Sequence, residues 1–153
     1  MRVYAITIGD GPSTEELVAA ANYGYCRSQV MFDNFPAKPF NGRTSGAILL
    51  LSFDHPVSSE EATSAAAEQG LEPHISEHAL YFGIGRPEVQ VEGPVAFPHD
   101  LSLVNHRRRD AICLWSYSGW GELGLEGFED FWASNDRLAF VRGARRGAPI
   151  RRD

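Results

Sequence analysis

The sequence of 153 residues is poor in several features that would mark a functional class. It has only two cysteines, Cys26 and Cys113, far apart and in no metal-binding spacing, so we expect two reduced thiols in a cytoplasmic protein. Its longest apolar stretch, 47–53, is far shorter than the ~20 residues that a membrane-spanning helix needs. The first residues lack the parts of a signal peptide. These absences predict a protein without a membrane partner.

Positive charge is scarce in most of the chain. Lys38 is the only lysine beside 13 arginines, and the net charge is −6. Residues 137–153 have a net charge of +5, so residues 1–136 have a net charge of −11. An acidic body repels the phosphate backbone of a nucleic acid, so we do not expect such a partner. The length fits one domain, and we predict an α+β domain over 1–143 and a flexible basic tail over 144–153.

Strand and helix signals are spread along the whole chain. Apolar runs rich in β-formers predict strands over 3–8, 47–53, 94–97, 111–117 and 137–142. Capping boxes predict helices after Ser13 and Ser58, the first running to about Asn22 and the second covering 59–69. Residues 76–84 fit either a short helix or a strand. The mixture predicts an α+β fold, with a mainly antiparallel sheet and two or three short helices in a single layer on one face.

Short structural motifs stand in a characteristic order between residues 13 and 143. They are Phe35-Pro36, Ser58 to Glu61, Gly70-Leu71-Glu72-Pro73, Phe82-Gly83, Pro87-Glu88-Val89-Gln90 and Arg137-Leu138-Ala139-Phe140-Val141-Arg142. With these motifs the chain resembles a group of small, functionally uncharacterised bacterial and phage-type proteins. The resemblance implies a short helix over 76–84, a C-terminal β unit with long loops, and an accessory or counter-defence role. The ending is also similar to the closing segment of C-type-lectin-like and formylglycine-generating-enzyme-like domains.

The stretch 114–132 contains all three tryptophans of the chain. Alternation along the strand over 111–117 puts Cys113 and Trp115 on the same face, and we expect Trp115 to lie in the core. Four further aromatics lie in glycine-broken sequence, where regular burial is harder: Trp120, Phe128, Phe131 and Trp132. Acidic residues are interleaved with them, which suits recognition of a protein or a small ligand. The alternative is one helical turn, formed by the last three of these aromatics and packed on the sheet.

A dense basic run, Arg107, Arg108 and Arg109, lies inside the acidic body. Guanidinium groups bind oxyanions and aromatic rings stack on bases, so this run and Trp120 would suit a nucleotide. The alternative is a solvated loop between two strands.

His74, Glu77 and His78 fit the H-x-x-E-H pattern of zinc peptidases. Two histidines four apart on a helix can both reach one zinc ion, while the glutamate acts as a base. Pro73 and Ser76, however, favour a helix that begins after His74, so the alternative is surface or capping histidines. A wider metal set would add the loop histidines His55, His99 and His106.

We therefore predict a cytoplasmic, non-enzymatic binding protein that needs no cofactor and recognises a protein partner or a small polar ligand. The predicted surface combines the aromatics of 118–132 with the run Arg107 to Arg109. Two alternatives stay open: a small zinc-dependent hydrolase that uses His74, Glu77 and His78, and a nucleotide-binding protein that uses the arginine run. The oligomeric state is also open, a homodimer included.

Overall fold

A computed structural model shows a seven-stranded mixed sheet with four helices, within the residues that it describes. Those residues are 2–9, 11–26, 44–72, 76–98, 110–127, 131–134 and 136–143. In chain order the elements are β1 (Arg2–Ile8), α1 (Thr14–Ala21), β2 (Tyr25–Cys26), β3 (Thr44–Leu51), α2 (Ser59–Glu68), α3 (Ser76–Gly85), α4 (Pro87–Glu92), β4 (Val95–Phe97), β5 (Asp110–Tyr117), β6 (Trp120–Gly127) and β7 (Arg137–Gly143). The predicted tail over 144–153 lies outside the described residues.

The strands lie in the order β1-β3-β7-β4-β5-β6-β2. Four neighbouring pairs are antiparallel, and the pairs β4–β7 and β2–β6 are parallel. The predicted α+β class with a mainly antiparallel sheet is therefore confirmed.

Both faces of the central strands are buried. In β5, Ile112 and Leu114 join one apolar cluster, whereas Ala111 and Cys113 join another on the opposite side of the sheet. We call these sides the first and the second face. Helices α1, α3 and α4 pack on the first face, and α2 packs on the second through its buried alanines. Helices α1, α3 and α4 thus form the predicted layer on one face. The prediction of a single layer is wrong for α2, which lies on the opposite face.

The helix ends follow the local sequence. The Ser13 hydroxyl accepts a hydrogen bond from the Glu16 amide, and the Glu16 carboxylate accepts one from the Ser13 amide. Ser58 forms the same reciprocal pair at the start of α2, and each serine cap contributes about 1 kcal/mol. Asn22 ends α1 in the left-handed conformation, at φ 54°. None of the described helices is long and apolar enough to cross a membrane.

Residues 76–85 form the helix α3, so the helix is the correct alternative for this segment. Strand β6, which was not among the predicted elements, pairs with β5 through a two-residue turn. Ser118 and Gly119 form that turn, with φ of 51° and 84°, as hairpin turns of this length require. Gly124 in β6 lies under the ring of Trp115, where an added Cβ would collide with the indole. The glycines of this stretch are thus compatible with a strand.

Helix α4 is held to the sheet by one buried and one partly buried polar side chain. Gln90, which is 2% exposed, donates from Nε2 to the carbonyls of Trp115 at 2.7 Å and Glu122 at 3.3 Å. These two residues lie opposite each other in the β5–β6 pair. From β7, Arg137 donates to two carbonyls at the C-terminal end of α4, each at 2.6 Å. The hairpin and the helix are therefore fixed relative to each other.

Replacing Gln90 tests this arrangement. We expect Gln90→Leu to lower the free energy of unfolding by about 1–3 kcal/mol, because interior carbonyls lose their donor. Urea denaturation measures the change. Gln69→Leu is the matched control: Gln69 is exposed at the end of α2, so its substitution should stay within about 0.5 kcal/mol. Equal effects at the two positions would contradict the role assigned to Gln90.

Candidate functional site

The three tryptophans lie in three different environments. Trp132 is only 4% exposed, Trp120 is 63% exposed, and Trp115 is half-buried. The Trp115 ring packs against the second-face cluster, and its indole N–H donates to the Glu122 carboxylate at 2.7 Å. The expectation that Trp115 belongs to the core is therefore met in part: its side chain packs on the core but remains partly exposed.

Trp132 is a core residue, and its placement on an exposed surface is wrong. Its backbone forms an antiparallel bridge with Val57, through hydrogen bonds of 2.7 and 3.1 Å. Its indole N–H donates to the hydroxyl of Ser59 at 2.9 Å. Because Trp132 forms a β-bridge, the alternative of a helical turn is also wrong at this residue. The segment is tied to the start of α2, which buries the indole despite the glycine-rich sequence before it.

The other predicted site residues have different outcomes. Phe131 lies on the surface and is 68% exposed. Phe128 and the run Arg107, Arg108 and Arg109 lie outside the described residues, so their binding role stays a prediction.

A pocket of about 340 Å³ lies on the second face, beside Trp132. Its apolar lining comes from Pro94, Ala96, Cys113, Trp115, Phe131, Trp132 and Ala133. Two carboxylates, Glu126 and Asp136, also belong to the described lining. We call this cavity the acidic pocket. It joins parts of β4, β5 and β6 to the segment that precedes β7.

The electrostatics of the acidic pocket are negative. Burial raises the pKa of the Cys113 thiol well above its usual range, and the nearby charges of Glu126 and then Asp136 raise it further. One oxygen of Asp136 accepts a hydrogen bond from the Ala133 amide at 2.9 Å, which fixes the carboxylate at the pocket. The thiol therefore stays neutral, and the two carboxylates supply the charge.

An exposed aromatic surface continues from the acidic pocket along the second face. Trp115 lines the pocket, and Tyr117 follows two residues later on the same face. Tyr117 lies opposite Trp120 in the hairpin, and Tyr25 in β2 lies beside Glu122. Tyr117, Trp120 and Tyr25 are 71%, 63% and 51% exposed. We call Tyr25, Trp115, Tyr117 and Trp120 the aromatic face.

The predicted zinc residues are not brought together in the part of the chain that the structure describes. Glu77 is buried in α3 and His78 is half-buried, while His74 lies outside the described residues. His55 is exposed, and its Nδ1 lies 2.6 Å from Asp54, a contact that lowers the pKa of Asp54. The two further loop histidines also lie outside the described ranges. Over those ranges, no group of three potential ligands could hold a metal ion.

Comparison of the chain with models of known protein families, with curated proteins and with solved structures finds no match. The resemblance to phage-type proteins therefore stays an expectation.

Several pocket residues carry no functional signal in the sequence. Asp136 lies after the aromatic stretch 114–132, and Pro94 and Ala96 lie well before that stretch, so the sequence does not link them to it. The one available signal is the alternation that puts Cys113 and Trp115 on the same face. Glu126 joins them because β6 pairs with β5, a pairing that depends on the turn at 118–119.

Alanine substitutions separate the core tryptophan from the exposed one. We expect Trp132→Ala to lower the free energy of unfolding by about 3–5 kcal/mol, since it leaves a cavity and removes the bond to Ser59. Trp120→Ala should change it by less than about 0.5 kcal/mol, because that side chain is largely in solvent. Urea denaturation followed by far-ultraviolet circular dichroism measures both. Comparable losses in the two variants would contradict the two placements.

Proposed function

We propose that the protein acts by binding, and that it recognises a protein partner or a small polar ligand through the acidic pocket and the aromatic face. The observation that carries the proposal is the pocket itself, in which an apolar floor and two carboxylates converge. Such a combination is typical of ligand sites, where apolar surface supplies affinity and a few polar groups set orientation.

The chemistry of the lining favours binding over nucleophilic catalysis. Cys113 is the one potential nucleophile among the described lining residues, and its raised pKa keeps it a thiol. A thiolate would be needed for covalent chemistry, and the neighbouring carboxylates oppose its formation. The same carboxylates remain available to a ligand at the pocket.

The exposed aromatics support recognition of a ligand larger than the pocket. Tyr and Trp side chains contribute large contact areas at low cost in conformational entropy, and they are enriched among residues that dominate binding energy. Phe131 stands at the pocket with most of its ring in solvent. A bound ligand would remove that apolar surface from water.

Nuclear magnetic resonance titration of the ¹⁵N-labelled protein tests the proposal. A panel of small polar molecules and short peptides should include members that shift the indole N–H signals of Trp115 and Trp132 and the amide of Ala133. For any such ligand, we expect Phe131→Ala to weaken binding at least about tenfold, or about 1.4 kcal/mol. The variant should change the free energy of unfolding by less than about 0.5 kcal/mol.

Val91→Ala is the control for this titration. Val91 is an exposed apolar residue of α4, away from the pocket, so its truncation should leave affinity unchanged. A panel that shifts none of the three signals would contradict the proposed function. So would a ligand whose affinity falls equally in the two variants.

A further inference from the structure

We infer that the acidic pocket takes the cationic side chain of an arginine or lysine, presented by an extended segment of a partner protein that lies along the aromatic face. The inference rests on the proposed function and names the chemistry of its ligand. It follows from the donors and acceptors of the lining, from the charge at the pocket, and from the surface that continues beside it.

The donor groups of the lining side chains are already used within the protein. The indole N–H of Trp115 donates to Glu122, and that of Trp132 donates to Ser59. The Cys113 thiol is directed at the carbonyl of Ala111, at 3.7 Å. The described lining therefore offers a ligand no uncommitted side-chain donor, and a ligand that needs donors, such as a phosphate or a carboxylate, is poorly served.

The acceptors of the lining are carboxylates. Within the described part of the chain, the Ala133 amide uses one oxygen of Asp136, and Glu126 is exposed at the end of β6. Carboxylates beside aromatic rings favour a cation with an apolar stem, because the rings attract the charge and cover the methylene groups. A guanidinium also matches a carboxylate with two parallel hydrogen bonds. The volume of about 340 Å³ accommodates one such side chain.

The surroundings of the pocket favour a side chain of a protein over a free amine. From Trp115 the aromatic face continues to Tyr117 on the same strand, about 7 Å away, and on to Trp120 across the hairpin. An extended basic segment would therefore contact these rings on either side of its anchoring residue. The net charge of −11 over residues 1–136 attracts such a segment from a distance.

Matched ligands test the inference by the same titration, at low ionic strength. The probe is acetyl-Ala-Leu-Arg-Leu-Ala-amide, and the comparisons are its citrulline and glutamate counterparts and free propylguanidinium. We expect the arginine peptide to shift the Trp115 and Trp132 indole signals and to bind at least about tenfold tighter than the citrulline peptide, which lacks the charge. It should also bind at least about tenfold tighter than propylguanidinium, and raising salt to about 0.5 M should weaken it.

Variants locate the two contributions. Glu126→Gln, alone or combined with Asp136→Asn, should weaken the arginine peptide at least about tenfold, whereas Glu88→Gln on α4 removes one charge elsewhere and should have little effect. If the double variant loses stability, Glu126→Gln alone tests the contribution of the carboxylates to binding. Trp120→Ala should weaken the peptide without changing the affinity for propylguanidinium, because only the peptide reaches the aromatic face.

Each contrary result has a distinct meaning. If the citrulline peptide binds as tightly as the arginine peptide, the pocket does not recognise a cationic charge. If propylguanidinium binds as tightly as the arginine peptide, the aromatic face does not bind an extended partner segment. If the glutamate or citrulline peptide shifts the pocket signals and the arginine peptide does not, the inference fails and the proposed function stands. If no probe shifts these signals and the broader panel is also silent, both fail.

Discussion

Burial of the central strands on both faces decides where the helices of this fold must pack. Four successive residues of β3, Ile48 to Leu51, are buried, so each side of the sheet needs an apolar cover. The helices α1, α3 and α4 provide it on the first face, and α2 with Trp132 provides it on the second. At the end of β5 and the start of β6, Tyr117 and Trp120 are largely exposed. Within the described residues, the aromatic face is thus a part of the second face that no helix covers.

The sequence predicts those features that depend on neighbouring residues. Both capping boxes occur as expected, because each is decided by hydrogen bonds within four residues. The two-sided character of β5 also follows from simple alternation. The placement of α2 on the second face does not, since both helix-bearing faces of the sheet are apolar and nothing local distinguishes them.

The errors at the candidate site have a tertiary origin. Glycines in 119–127 make the stretch look irregular, yet Gly124 is the residue that lets the Trp115 ring lie flat over β6. Trp132 looks exposed because no periodic pattern surrounds it, yet a bridge to Val57 buries it. Both effects arise from contacts between residues distant along the chain, so a local pattern cannot contain them. The acidic pocket depends on the same long-range contacts, so no single stretch of the sequence predicts it.

Rigid support distinguishes the acidic pocket from an ordinary surface depression. Trp132 is fixed by its bridge to Val57 and its bond to Ser59, and it holds the adjacent Phe131 and Ala133 at the pocket. Trp115 is fixed from below by the interior Gln90, which binds its carbonyl. Because these contacts and the bond from the Trp115 indole to Glu122 set the positions of the two tryptophan rings, a ligand would lose little binding energy in ordering those side chains. The interactions that bury two tryptophans are thus the ones that position the charged pocket beside them.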